Sequence, residues 1–104
     1  MPATPSRTRL DLNSPEFQDV FFQLEAAQLR QVVSSLRRLS SLGWATVFHH
    51  PGFRWEAIEH LRAPNGAKVY SVRLSRRIRA LGYRDGEFLR FLSLHPEHDS
   101  AYAH

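Results

Sequence analysis

Residues 54–95 carry eight arginines and Lys68 against Glu56, Glu59, Asp85 and Glu87, an excess of +5 in a chain whose net charge is +4. His95 closes that basic stretch, and His98, Asp99 and Tyr102 stand just beyond it. Thirteen of the fourteen basic residues are Arg. The planar guanidinium grips phosphate or carboxylate through two parallel hydrogen bonds, which the ammonium of Lys cannot do. Arginine together with Glu, His and Tyr suits phosphodiester chemistry without a metal. RNA brings its own nucleophile, the 2′-hydroxyl. A protein then needs a base for that proton, an acid for the departing 5′-oxygen, and cations for the charge gathered on phosphorus. An Arg-rich surface kept only for solubility is the competing explanation of the same count.

Other chemistries are poorly served. The 104 residues include no Cys, which excludes a disulfide framework, a thiolate metal site and a cysteine nucleophile. His49 and His50 are adjacent, so their rings diverge on an extended chain. The run from His95 to Asp99 could chelate in principle but lacks the spacing of a metal motif. There is no glycine-rich phosphate loop and no serine elbow, so no metal or other cofactor is expected. No apolar run approaches the ~18 residues that span a bilayer, and the first 17 residues lack the apolar core of a signal peptide. A soluble cytoplasmic protein of one domain spanning residues 1–104, loose over its first seven, is the expectation.

The elements that must position these groups can be read from periodicity. Residues 8–12 alternate and suit a short edge strand. Ser14-Pro15-Glu16 is a helix start: a capping hydroxyl, a proline at the first helical position and an acid at the positive end of the dipole. Phe17, Val20, Phe21 and Leu24 continue it at helical spacing. Leu29, Val32, Val33, Leu36 and Leu39 form the apolar stripe of a second helix over residues 26–42, with Gly43 as its C-cap. Residues 44–48 are ambiguous and allow one more helical turn. Strands follow at 53–58, 69–74, 78–84 and 88–95, with turns at residues 63–66 and at Asp85-Gly86, a strong two-residue hairpin signal. The fold class is therefore α+β: a twisted antiparallel sheet of four to five strands with an N-terminal helical hairpin on one face.

Period-two alternation assigns faces. Tyr70, Val72 and Leu74 share one side of their strand, and Arg73 lies on the other. Arg79 lies opposite Ile78 and Ala80, and Ser93 and His95 lie opposite Leu92 and Leu94. One register thus gathers Arg73, Arg79, Ser93 and His95 on the face away from the helices, and a slip of one residue would scramble it.

The run VYSVRLSRRIRA at residues 69–80, followed by Asp85-Gly86 and by FLSLH at 91–95, resembles the RelE/ParE toxin superfamily. The ending His98-Asp99-Ser100-Ala101-Tyr102 resembles the H-D-x-A-Y terminus of one RelE-like branch, and Trp55-Glu56-Ala57-Ile58 fits the acidic position ahead of it. The resemblance extends from about Leu10 to Tyr102 and agrees with the helical hairpin. It implies the toxin of a toxin–antitoxin pair, bound by a cognate antitoxin in a hetero-oligomer. Its RelE-like members cleave mRNA on the ribosome without metal; its ParE-like members inhibit DNA gyrase by contact alone, and a catalytically degenerate member that only binds its antitoxin is the other alternative. Carried over by position, Arg73 and Arg79 resemble the arginines that hold the scissile phosphate. Glu56 stands near the general base, His95 or His98 stands for the acid, and Tyr102 stands for the aromatic that orients the RNA. Arg54, Lys68, Arg76 and Arg77 are candidates for RNA contacts.

Each of these residues has a structural alternative. Glu56 can be an ion-pair partner of Arg73 or Arg79. The histidines can be polar residues at a strand end, and Asp99 a cap or a support for His98. Tyr102 can pack in the core. Arg76 and Arg77 can be a solvated turn.

Overall fold

The computed structural model describes residues 7–97, so His98, Asp99 and Tyr102 lie outside the described residues. Five strands form one sheet: β1 (Arg9–Asp11), β2 (Glu56–Arg62), β3 (Lys68–Ser75), β4 (Ile78–Asp85) and β5 (Phe88–Pro96). Their spatial order is β1-β5-β4-β3-β2. β1 runs parallel to β5 at one edge, and the other neighbours are antiparallel. Between β1 and β2 come α1 (Pro15–Phe21), α2 (Ala26–Ser41) and α3 (Trp44–His49).

α1 starts as the residue types dictate. The Ser14 hydroxyl accepts from the Phe17 N–H at 3.4 Å and donates to the Leu92 carbonyl at 2.7 Å, so the cap also staples the helix to β5. Pro15 occupies the first turn beside Glu16. α2 buries Val32, Leu36 and Leu39, the inner part of its apolar stripe, while Val33 stays 39% exposed. α1 packs over β5 and α2 over β3. Between helices and sheet lies a core in which Phe17, Leu39, Trp44 and Val47 meet Val72, Leu74, Ala80 and Leu94. The ambiguous residues after Gly43 are the separate short helix α3.

Gly43 is not a left-handed cap. Its φ and ψ of -80° and 160° are extended, because it bridges to Arg7 and serves as the N-cap of α3. The hairpin turn after β4 is also one residue later than Asp85-Gly86. Asp85 pairs with Phe88, leaving Gly86 and Glu87 as the two turn residues, with Gly86 at φ 61°. Glycine at the first central position is what two-residue hairpins with a positive φ there require.

β2 begins at Glu56 rather than at residue 53, because Arg54 has φ 45° and breaks the extended run. The Phe53 carbonyl instead accepts the Arg73 N–H at 2.7 Å. In β5 the register shifts between Leu81 and Gly82, so that Leu92 is an extra residue against β4. Before the bulge Leu89 and Phe91 face the helices; after it Leu94 does. Leu92 therefore packs on the opposite face, in a second cluster with Val69, Leu81 and Tyr83, and does not share the side of Leu94.

Candidate functional site

The sheet face away from the helices is split into two halves. Val69, Tyr83 and Ala63, with Ile58, Leu61 and Leu92 around them, close over one half. The other half is basic. Arg73 lies directly opposite Arg79, and Arg79 directly opposite His95, so one row across β3, β4 and β5 reads Arg-Arg-His. The neighbouring row places Glu56 opposite Ser71, Ser71 opposite Leu81, and Leu81 opposite Ser93. The face assignment made from period-two alternation thus holds for Arg73, Arg79, Ser93 and His95, and the bulge at Leu92 is what keeps the last two in phase.

Glu56, Arg73 and Arg79 line a cleft of about 260 Å³ whose floor includes the buried Ser71. Arg54, Arg76, Arg77 and Glu97 form its walls. Arg54 enters this wall from a left-handed backbone, a conformation that costs a side-chain-bearing residue ~1–2 kcal/mol. Strain of this kind persists where the surroundings impose it and is frequent at functional sites. Arg76 and Arg77 come from the β3–β4 turn, and the Arg77 carbonyl accepts the Glu97 N–H at 2.6 Å. His95 continues the row beyond the cleft, exposed, with its Nε2 2.7 Å from the Ser93 hydroxyl. Lys68 is not brought here. It belongs to the helix-side surface, where it lines a separate hollow with Phe48, Tyr70 and Arg84.

Like charges directly opposite each other on a sheet repel, so the pair Arg73 and Arg79 calls for an anion. The protein supplies little of one. Arg73 donates from Nε to the Ser75 carbonyl at 3.3 Å. Among the described residues, Arg79, Arg54 and Arg76 have no side-chain hydrogen bond or ion pair, and neither does Glu56. Arginines elsewhere on the sheet are satisfied. Arg90 is held by Asp85 at 2.8 Å and Asp11 at 2.7 Å, and these hydrogen bonds, in that order, raise its pKa. Arg9 pairs with Glu87 at 3.2 Å, and Arg84 lies 4.6 Å over the Trp44 ring. The structural alternative for Glu56, an ion pair with Arg73 or Arg79, is not realised. Among the described residues no three of His, Asp and Glu gather within reach of one metal ion.

The residue that sequence reasoning missed is Glu97. A carboxylate beyond the last strand carries no periodic signal, and it reaches the cleft wall only because β5 pairs with the start of β4. Alternation places Ser71 on the Arg73 side of its strand, but a serine on a strand has no chemical signature of its own.

No family model matches the chain, and no curated protein matches it significantly. Solved structures do. A chain of the archaeal RelE–RelB complex from Pyrococcus horikoshii OT3 superposes with a TM-score of 0.60 at 15% identity, over 92% of this chain and 99% of that one. A copper-bound mutant toxin from Helicobacter pylori is matched with a TM-score of 0.46 at 17% identity, over 91% of this chain and 99% of that one. The chain therefore has a RelE-like fold, the α+β architecture expected from its residues.

Proposed function

We propose that this protein is the toxin of a toxin–antitoxin pair and acts as a ribosome-dependent endoribonuclease on mRNA. The observation that carries the reading is the row of Arg73 and Arg79 facing each other on a rigid sheet beside Glu56, without a carboxylate partner. Such an arrangement accepts a phosphate and offers a base next to it. Arg79 and Arg73 hold the non-bridging oxygens of the scissile phosphate and gain strength as charge builds there. Glu56 takes the proton of the 2′-hydroxyl as its oxygen attacks phosphorus. The bond to the 5′-oxygen breaks, and that oxygen leaves with a proton from His95 or His98, yielding a 2′,3′-cyclic phosphate and a 5′-hydroxyl end. Tyr102 orients the neighbouring base, and Arg54, Arg76 and Arg77 hold adjoining phosphates. No metal or cofactor enters this scheme.

The whole chain serves as one domain in the cytoplasm, where ribosomes are found; among the described residues no helix is long and apolar enough to cross a membrane. The relative from Pyrococcus horikoshii is described in complex with RelB. By analogy a cognate antitoxin silences this chain in a hetero-oligomer. The test is induction in a bacterial host with growth followed and mRNA 5′ ends mapped against an uninduced control. New ends within translated regions, lost in Arg79→Ala, are expected. Growth arrest without new ends would replace the nuclease by a gyrase inhibitor of the ParE kind.

A further inference from the structure

The basic surface does not stop at the cleft. Arg73 and Arg76 also line a groove of about 360 Å³ on the flank of β3, bounded on its far side by Arg38 and Ser35 of α2. Arg76 and Arg38 then line a third hollow of about 400 Å³, which continues along α2 past Ser34 to Arg30. The three share walls, so they form one path from the open sheet face around the end of β3 onto the helix. Neither of the two outer grooves has an acidic residue in its lining. Arg30, Ser34 and Arg38 recur every four residues, one stripe of α2, and the two arginines are ~12 Å apart along the axis at 1.5 Å per residue.

That stripe is fixed to the sheet. The Ser35 hydroxyl donates to the Leu74 carbonyl, pinning α2 to β3 beside the groove that Arg38 shares with Arg76. Among the described residues Arg30 and Arg38 have no side-chain hydrogen bond or ion pair. Arg37, the neighbour of Arg38, lines none of these hollows.

We infer that Arg38 and Arg30 form a track for the phosphate backbone of a single RNA strand, carrying nucleotides beyond the pair held at Arg73 and Arg79. The inference rests on the RNA reading of the cleft and adds the direction in which the strand leaves it. The chemistry favours a nucleic-acid strand over an acidic polypeptide. Guanidinium forks spaced along a groove, with the serine hydroxyls of Ser34 and Ser75 between them, fit regularly repeated phosphates and 2′-oxygens.

The test reads binding without cleavage. Two 2′-O-methyl oligoribonucleotides, which have no 2′-hydroxyl to attack, are titrated against the full chain by fluorescence anisotropy. One has about twelve nucleotides and one about three, against the roughly 4–16 that a single-strand groove accommodates. Arg30→Gln/Arg38→Gln should weaken the long strand roughly tenfold at about 0.15 M salt and lower the slope of log K against log salt by about 1.4. The short strand should bind as to the parent. Arg37→Gln removes one such charge from outside the track and should change neither probe. Equal losses on both probes, an unchanged salt slope, or an equal effect of Arg37→Gln would overturn the track. So would a poly-glutamate peptide that binds as tightly as the long strand and loses as much in the double variant, since the surface would then be built for acidic polypeptide. The nuclease reading fails separately: a track that passes this test in a protein whose induction yields no new mRNA ends leaves strand binding intact and removes only the cleavage.

Discussion

Two arginines opposed on neighbouring strands are an unfavourable choice for stability, and Arg79 makes no compensating contact among the described residues. Its removal should therefore separate function from folding. Arg79→Ala is expected to cost about 10²–10³ in cleavage rate, ~2.7–4 kcal/mol of transition-state stabilisation, while the melting temperature stays the same or rises. Arg79→Lys should recover little of that rate, because the fork is lost. Rates at mapped sites and thermal melts of the same preparations check both halves. Glu56 has no ion pair among the described residues to lose, so Glu56→Gln should lower activity at unchanged stability. A fall in stability with activity retained would make it a strut. His95→Gln compared with His98→Gln separates the two acid candidates, the true one costing roughly 10²–10⁴. The row places His95 opposite Arg79, whereas His98 lies outside the described residues.

At the scale of elements, two devices hold the face in phase. One is the bulge. A side chain at Gly82 would place its Cβ 3.0 Å from the Arg90 carbonyl oxygen and 3.2 Å from Leu89 Cδ1, so the paired strand would have to give by a few tenths of an ångström. Gly82→Ala should therefore cost about 1–3 kcal/mol of stability. It should also lower activity by displacing the end of β5 that carries Ser93 and His95. Denaturant melts and cleavage assays on one sample would reveal it, and a fully stable variant would show that the bulge tolerates a methyl group. The other device is the clamp on the edge strand. Asp11 accepts from the Asn13 N–H and from Arg90, and these contacts, in that order, hold its carboxyl below the ordinary value of 3.8. A carboxyl with a lowered folded-state pKa stabilises the fold above its unfolded value and loses that contribution as the pH falls through the folded one. Asp11→Asn should accordingly cost roughly 0.5–1 kcal/mol near neutral pH, a small figure because the pair is partly exposed and screened. The difference from the parent should vanish well below pH 3.8, as pH-dependent melts can show.

For the whole molecule the charge distribution sets how partners arrive. The +5 excess of residues 54–95 gathers partly on the open cleft, and it would favour an antitoxin that covers the cleft with an acidic or amphipathic segment. Titration of such a pair should give a complex that weakens as salt rises. Association indifferent to salt would place the contact on the helices instead, where Phe22 stands 73% exposed beside the α1–α2 turn.

Local residue chemistry determined much of this protein without help from tertiary structure. The Ser14-Pro15 start, the apolar stripe of α2 and the alternation of β3 and β4 each follow from neighbours a few residues apart, and those interactions are present in the sequence itself. The same alternation offers a register with Arg73, Arg79 and His95 on one face, and strand pairing with the bulge at Leu92 realises it. Tertiary structure decided what depends on partners distant along the chain. Gly43 is extended because Arg7 bridges to it, and β2 starts late because Arg54 is left-handed, the Phe53 carbonyl going to Arg73. Leu92 turns outward because β5 has one residue more than β4 can pair. Lys68 and Arg73 share β3 yet part company across the sheet, since residues an odd number of positions apart on a strand face opposite ways. Glu97, Arg38 and Arg30 join the basic surface only through β5 pairing and through α2 pinned to β3. No periodicity encodes such contacts, because they arise from the packing of one element on another.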